Sequence, residues 1–326
     1  MAMGEPAMDQ VVADSHEVIK HGSKSFAAAS RLFSPEIRDS ASMLYAWCRH
    51  CDDQTDNQEL GFNQSPLDPD EARRRIDHLQ ETTRRALSGE PMEDPIFVGL
   101  QRVVTRHQIP HRYPLEHLDG FVMDVEEHRY LTFDDTLTYC YHVAGVVGVM
   151  MTYIMGVDDE PTLDRATDLG IAFQLTNICR DVVEDADAGR VYLPEDWLAE
   201  AGIPQREVSA PQNRQALHDV VVRVLVEADR YYESSRFGLS QLPFRSAWAV
   251  SAAHSVYRDI GRLILERGPA AWDRRASTGT ARKIQLAFGG GLRAIAATGW
   301  GPGPGAEPRR GLWTRPTLGG VEKASN

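Results

Sequence analysis

Apolar positions recur at helical spacing in almost every long segment of this chain, and alternating, strand-like runs are sparse. The pattern predicts a helix over 10–20, followed by a polar turn at 21–26 dense in hydroxyl and amine donors. Ser34-Pro35-Glu36 reads as a helix start, with Ser34 as N-cap and Pro35 at the first helical position. The helix it opens is expected to run to about Asp56. Residues 57–69 are polar, include two prolines and read as a loop. Further helices are expected over 70–87, with charge on most faces, then over 94–107 and 115–129, with breaks at Pro110 and Pro114. An apolar helix starts near Phe133, and others cover 161–185, 217–236, 246–267 and 280–297. The remainder, 298–326, is rich in Gly, Pro and charge, so a disordered tail is expected after one all-α domain spanning 1–297.

The run 139–157 has no formal charge and is long enough to span a bilayer. It also holds His142, three tyrosines and three glycines, which fits a buried helix of a large all-α domain. Its small residues, from Val143 to Gly148, allow another helix or a ligand to approach closely.

Polar residues break the apolar pattern at two places. In the helix expected over 161–185, Gln174, Asn177, Asp181 and Asp185 step by three, four and four, so they share one face. Leu175, Ile178, Val182 and Val183 lie between them. Asp181 and Asp185 are one turn apart, about 6 Å along the axis, a spacing at which two carboxylates can share hard divalent cations. Taken alone, this pattern describes a solvated acidic face equally well. A second stretch changes the balance. Tyr45, Arg49, Asp52 and Asp56 step by four, three and four, again among apolar neighbours such as Leu44 and Trp47. Arg49 lies one turn before Asp52 and can pair with it or reach a phosphate.

Composition narrows the partners. With a formal charge of −12 over 326 residues, the chain lacks the basic surface that nucleic acid requires. An anionic substrate therefore needs metal ions or a local basic cluster. Cys48, Cys51, Cys140 and Cys179 are few, and the first residues are acidic without an apolar run, so a reducing cytoplasm is expected. A redox or zinc role for Cys48-x-x-Cys51 would need a βαβ context or a second ligand pair, and neither is visible.

Two Asp-x-x-x-Asp helices facing each other across a bundle would hold divalent cations between them. A diphosphate is the natural ligand of such a cluster, with Lys24, Arg49, Arg180, Arg190 and Arg274 available to neutralise it further. Apolar helices below would enclose a dry cavity, which suits a prenyl diphosphate. The metals draw off diphosphate while the cavity shelters an allylic cation beside aromatic faces.

Several long motifs carry a family resemblance. They are Gly22-Ser23-Lys24-Ser25-Phe26, Tyr45-Ala46-Trp47-Cys48-Arg49-His50-Cys51-Asp52-Asp53, and Tyr139-Cys140-Tyr141-His142-Val143-Ala144-Gly145-Val146-Val147-Gly148. To these add the stretch from Leu169 through Asp185 and Gly189-Arg190-Val191-Tyr192-Leu193-Pro194. In these stretches, and in register over about 16–297, the chain resembles the squalene and phytoene synthase family, most closely its bacterial phytoene-forming members. The resemblance implies an all-α prenyl-synthase bundle around a central cavity and dependence on Mg²⁺ or Mn²⁺. It implies metal ligation by Asp52 and Asp56 on one helix and by Asn177, Asp181 and Asp185 on the other, with Gln174 beside the second site. The four aspartates, Arg49 and Tyr192 are the implied catalytic residues. Ser23, Ser25, Arg49, Arg180, Tyr192, Tyr257 and Arg274 would contact diphosphate or cap the site. Phe26, Tyr45, Tyr139, Val143 and Gly148 would line the prenyl channels. One departure is visible: Gln54 and Thr55 stand where the family usually places two apolar residues before the last aspartate of the first motif.

The implied reaction is head-to-head condensation of two geranylgeranyl diphosphates, through prephytoene diphosphate, to phytoene, the first committed step of carotenoid synthesis. No NADPH is expected. The same chemistry on farnesyl diphosphate would give squalene or dehydrosqualene, and cavity depth decides between the substrates. A non-catalytic assembly or lipid-binding protein of the same fold would be expected to lose an acid from one pair, and both pairs are intact. Greasy substrates and products, and downstream carotenoid enzymes as partners, make peripheral membrane association an expectation.

Overall fold

The computed structural model describes residues 10–22, 24–58 and 68–316; of residues 24–26 and 56 it describes the backbone alone. Thirteen α-helices make up the described fold, and no strand occurs among these residues. They are α1 (Gln10–Gly22), α2 (Lys24–Ser30), α3 (Pro35–Asp56), α4 (Pro69–Leu87), α5 (Pro95–His107), α6 (Arg112–Val125), α7 (Phe133–Cys140), α8 (Val146–Ile154), α9 (Glu160–Asp187), α10 (Glu195–Glu200), α11 (Arg214–Ser235), α12 (Phe244–Arg267) and α13 (Thr280–Trp300).

Four helix starts share one device. Ser34, Asp68, Asp94 and Asp159 are extended N-caps whose side chains accept backbone N–H groups, and a proline occupies the first or second helical position after each. The Ser34 Oγ accepts from the Ile37 amide at 3.4 Å and the Asp159 Oδ1 from the Thr162 amide at 3.0 Å. These caps set where α3 and α9 begin, and so fix the phase of the two acid-bearing faces.

α9 lies at the centre of the bundle and packs against α8, α11 and α12. Leu163, Ile171, Leu175 and Cys179 are fully buried along it. One apolar cluster joins it to α7 and α11 through Leu137, Val221 and Val224. A second gathers α3 to α6 and α8 around Leu44, Trp47, Leu100, Leu118 and Met150. The apolar column Phe133–Ile154 is long and apolar enough to cross a membrane by composition, and it is the core column of this bundle: Tyr141, Val146, Val149 and Met150 are wholly buried. A π-helical turn, Tyr141–Gly145, separates α7 from α8. The small residues here permit backbone contact. A Cβ on Gly170 would fall 2.4 Å from the Ala144 carbonyl oxygen, and one on Gly148 would fall 2.6 Å from that of Ala166.

Several expectations need correcting. α6 starts at Arg112, so Pro114 lies inside its first turn, where a proline costs no helical hydrogen bond, instead of breaking the chain. α6 also ends at Val125, short of the expected Arg129. α4 is not exposed on all faces, because Ile76, Leu79, Thr83 and Ala86 are buried. Two helices too short to show a period, α2 of 7 residues and α10 of 6, add to those the pattern predicts.

The expected disordered tail is corrected over 298–316. α13 continues to Trp300, and the residues after it pack back onto α6, α9 and α11. Arg309 makes a two-pronged contact with the fully buried Asp168, at 2.9 and 2.6 Å. Arg315 is buried against Asp164 and Glu160. Trp313 lies over the Tyr141 ring, with centroids 4.9 Å apart, and its amide donates to the Tyr231 hydroxyl at 3.0 Å. Composition suggested disorder, but specific charge pairs and one aromatic anchor hold this segment. Residues 317–326 lie outside the described residues.

Candidate active site

The acid-bearing faces of α3 and α9 meet in one cavity of about 1210 Å³. From α3 come Tyr45, Arg49 and Asp52, and from α9 come Gln174, Asn177, Arg180, Asp181 and Asp185. Arg49 forms an ion pair with Asp52, and the Gln58 amide donates to the same carboxylate oxygen at 3.1 Å. Arg180 grips the adjacent Asp181 through two N–H groups, at 2.9 and 2.5 Å, and Arg275 adds a third donor at 2.9 Å. Tyr257 of α12 bridges the two halves: Arg49, Arg180 and Asp181 are all within electrostatic reach of its buried hydroxyl, whose pKa burial raises. Gly22 completes the α3 side, because a Cβ there would stand 2.7 Å from the Tyr45 hydroxyl.

The donors present suit a hard cation. Burial, and next the charge of Asp181, push the Asp185 carboxyl up to about 7. A nearby divalent cation would relieve that strain. Asn177 donates through Nδ2 to Gln174 Oε1 at 3.3 Å, while its own Oδ1 is buried with no hydrogen-bond partner. Among the described residues no three His, Cys, Asp or Glu side chains converge as a ready-made cage. Mg²⁺ does not demand one, since it commonly takes one or two carboxylates and completes its shell with water and substrate phosphate. Here guanidinium groups of Arg49, Arg180 and Arg275 occupy the positions beside the carboxylates that cations would compete for.

Tyr139 and Tyr192, also in the cavity lining, stack with ring centroids 4.6 Å apart, and both hydroxyls donate to Asp124, at 3.1 and 3.0 Å. The Thr136 hydroxyl donates to the Tyr192 carbonyl at 2.9 Å. This anchors the segment that carries Arg190, whose backbone amide donates to the Asp185 carbonyl at 2.8 Å. Phe173 and Tyr257 form a second stacked pair, 4.3 Å between centroids. Away from the charges the cavity wall turns apolar, with Leu32, Phe33, Val143, Val147, Gly148 and Met151 among its lining.

The cavity thus gathers the expected Tyr45, Arg49, Asp52, Tyr139, Val143, Gly148, Gln174, Asn177, Arg180, Asp181, Asp185, Tyr192 and Tyr257. The side chains of Ser23, Ser25, Phe26 and Asp56 lie outside the described residues. Arg274 does not line the cavity; its carbonyl accepts from Arg267 at 2.9 Å, and the next residue, Arg275, reaches Asp181 instead. Loop geometry after α12 decides which of two adjacent arginines turns inward, and sequence spacing does not carry that choice. Asp124 lies outside the two motifs that the sequence pattern picks out: Glu127 stands three residues on, but α6 ends at Val125, so the two acids do not form a helical pair like those of α3 and α9. The apolar residues flanking Asp124, Val122, Met123 and Val125, were the available signal. Burial pushes the Cys48 thiol of α3 up to about 12 and the Cys51 thiol well above its ordinary range, which disfavours the reactive thiolate at both.

Comparison with known proteins agrees with this architecture. The Squalene/phytoene synthase family model matches residues 19–282. The chain is 50% identical over 295 residues to a protein of Enterobacter agglomerans named 15-cis-phytoene synthase, covering 90% of this chain and 99% of the relative. It is 49% identical over 302 residues to one of the same name from Pantoea ananas, covering 92% and 96%. Among solved structures, a ligand complex of a dehydrosqualene synthase superposes with a TM-score of 0.77 at 25% identity, over 86% of this chain and 95% of that one. In sequence, fold and the convergence of two acidic helices on one apolar cavity, the chain belongs to the squalene/phytoene synthase family.

Proposed function

We propose that this chain joins two geranylgeranyl diphosphates head to head, through prephytoene diphosphate, to give phytoene. One observation carries the reading: the Asp52 and Asp181–Asp185 faces, with Arg49, Arg180, Arg190 and Arg275, meet at one largely apolar cavity of about 1210 Å³. Charge handling and hydrocarbon shelter are therefore adjacent, as ionisation of an allylic diphosphate requires. The near-half identity to relatives named phytoene synthases supports the longer prenyl substrate over farnesyl diphosphate.

Each residue then has a physical task. Asp52, Asp56, Asn177, Asp181 and Asp185 would hold Mg²⁺ or Mn²⁺. When bound, the metal neutralises the departing diphosphate and so favours cleavage of the allylic C–O bond. Arg49, Arg180, Arg190 and Arg275 take diphosphate oxygens by charge-assisted hydrogen bonds, for which Arg49, Arg180 and Arg275 exchange their present carboxylate partners. Ser23, Ser25 and Tyr257 would cap that group. The stacked pairs Tyr139–Tyr192 and Phe173–Tyr257 present π faces towards a passing carbocation. The apolar wall keeps water from quenching it. The second prenyl chain supplies the attacking double bond, and proton loss gives the cyclopropyl diphosphate; this loses its own diphosphate, rearranges and loses a second proton. No hydride donor is needed if the path ends at phytoene.

The test is incubation of purified protein with Mg²⁺ and either geranylgeranyl or farnesyl diphosphate, without NADPH, followed by identification of the hydrocarbon. Phytoene from the longer substrate is expected. A squalene-type hydrocarbon without phytoene would reject the substrate assignment. Product of this kind is insoluble in water, and we place the enzyme peripherally at a membrane.

A further inference from the structure

α13 carries a face that the bundle does not cover. Ile284, Phe288, Leu292 and Ile295 step by four, four and three and so share one side of the helix. They are 67%, 70%, 59% and 51% exposed, and Trp300 at the helix end is 87% exposed. The other side is tightly packed: Gly290, Gly291 and Ala294 are buried, and a Cβ on Gly290 would stand 2.9 Å from the Ala252 amide of α12. A row of large apolar side chains of this length is uncommon on a protein surface that meets only water.

Charge says what kind of partner fits. The chain as a whole is strongly acidic, at −12, yet 280–306 contains Arg282, Lys283 and Arg293 and no acidic residue. Beside the apolar face, a cleft of about 700 Å³ opens between α11, α12 and α13, with Arg236, Arg258, Arg282 and Arg293 on its walls. Arg236, Arg258 and Arg282 are matched by Glu233, Asp229 and Asp259. Arg293 reaches only the Ser255 hydroxyl and, among the described residues, has no carboxylate within ion-pair distance. A second copy docked face to face would bring two such basic sets together. An anionic lipid surface satisfies both the apolar row and the arginines. Position adds a further reason. Thr280, Lys283, Ile284 and Ala287 of the same helix line the central cavity, so the exposed row lies at the rim of the space that takes in prenyl chains.

We propose that this face of α13, with the arginine cleft beside it, seats the protein on an anionic phospholipid bilayer and opens the cavity towards the lipid. Phe288, Leu292 and Trp300 enter the boundary between headgroups and acyl chains, while Arg293 and its neighbours meet headgroup phosphates. Prenyl chains then pass between bilayer and cavity along α13 without crossing water. Only this last step rests on the proposed reaction; the docking itself does not.

The experiment is co-sedimentation of the full chain with phosphatidylcholine vesicles, with and without added phosphatidylglycerol, in parallel with activity on detergent-dispersed substrate. Wild-type protein is expected to bind the phosphatidylglycerol vesicles preferentially and to release them in high salt. The double substitution Phe288→Asp with Leu292→Asp is expected to weaken binding about tenfold or more at unchanged helicity and unchanged detergent-assay turnover. Arg293→Gln should weaken binding to the anionic vesicles alone. Undiminished binding by the double variant overturns the proposal, as does failure of wild type to bind either vesicle. A wild-type dimer in ultracentrifugation that the double variant splits also overturns it, by assigning the face to a second copy. Absence of hydrocarbon product in detergent would count against the proposed reaction and leave the vesicle result standing.

Discussion

Tyr139 and Tyr192 lie face to face, 18° from parallel, with their hydroxyls on the two oxygens of one carboxylate, Asp124. Two rings from distant parts of the chain are thereby locked against α6. Arg190 sits two residues before Tyr192, so the same lock positions a cation in the cavity that Asp181 and Asp185 line. Asp124→Ala leaves two buried hydroxyls without their acceptor and is expected to destabilise the fold by about 2 kcal/mol or more. Tyr192→Phe, which removes only one donor, should cost about 1 kcal/mol. Urea unfolding of the two variants measures the difference, and equal midpoints would refute the shared role of Asp124.

Asp52 and Asp181 are each paired with arginine in this structure. Asp52→Asn and Asp181→Asn keep size and shape while removing the charge a cation needs. Each is expected to lower turnover by at least about a hundredfold with circular dichroism unchanged. Near-wild-type hydrocarbon yield from either purified variant would remove that residue from the proposed metal-binding set.

The contact between α9 and the π-helical turn is made through backbone. A methyl at Gly170 would stand 2.4 Å from Ala144 O and 2.6 Å from Gly145 Cα, atoms that cannot rotate away. Gly170→Ala is expected to cost about 1–3 kcal/mol by overpacking and to narrow the cavity that Gly170 lines. Thermal unfolding together with KM for the prenyl substrate checks both effects. Gly189→Ala makes a useful contrast, because its strain comes from a positive φ of 85° with open space around it, and it should leave KM unchanged if the fold holds.

Acid should unfold this protein through two buried imidazoles. Burial pushes His117 and His254 down to about 4, against 6.5 for a free imidazole. Between those values the unfolded chain binds a proton at each that the folded chain refuses. Stability is therefore full above 6.5 and falls as pH drops towards 4, by on the order of 3 kcal/mol per group at most. Urea midpoints at pH 7 and pH 5 measure the loss. His254→Gln should flatten the profile relative to wild type, and an unchanged slope would acquit that residue.

The carboxy-terminal segment is held by charge. Arg309→Ala removes the guanidinium that grips the fully buried Asp168 through both oxygens, leaving it the Ser234 hydroxyl, and should cost about 3 kcal/mol. Arg309→Lys retains the charge but not the fork and should recover part of the loss. Denaturant unfolding of the pair distinguishes this from a dispensable tail.

The order of helices was legible because amphipathic periodicity and Ser/Asp-Pro caps are local: α3 and α9 begin where Ser34 and Asp159 require. So were the two acid faces, since a helix of known phase places Asn177, Asp181 and Asp185 on one side without reference to anything else. Tertiary structure alone decided whether those faces met. It also selected Arg275 over Arg274, recruited the lone Asp124, and returned a Gly- and Pro-rich segment to the bundle through Arg309, Trp313 and Arg315. Each of these depends on a partner far away in the chain, reached through loops whose direction no period records. A short-range pattern can fix what a helix offers on each face; only packing determines which faces are answered by the rest of the molecule and which, like that of α13, are left for something outside it.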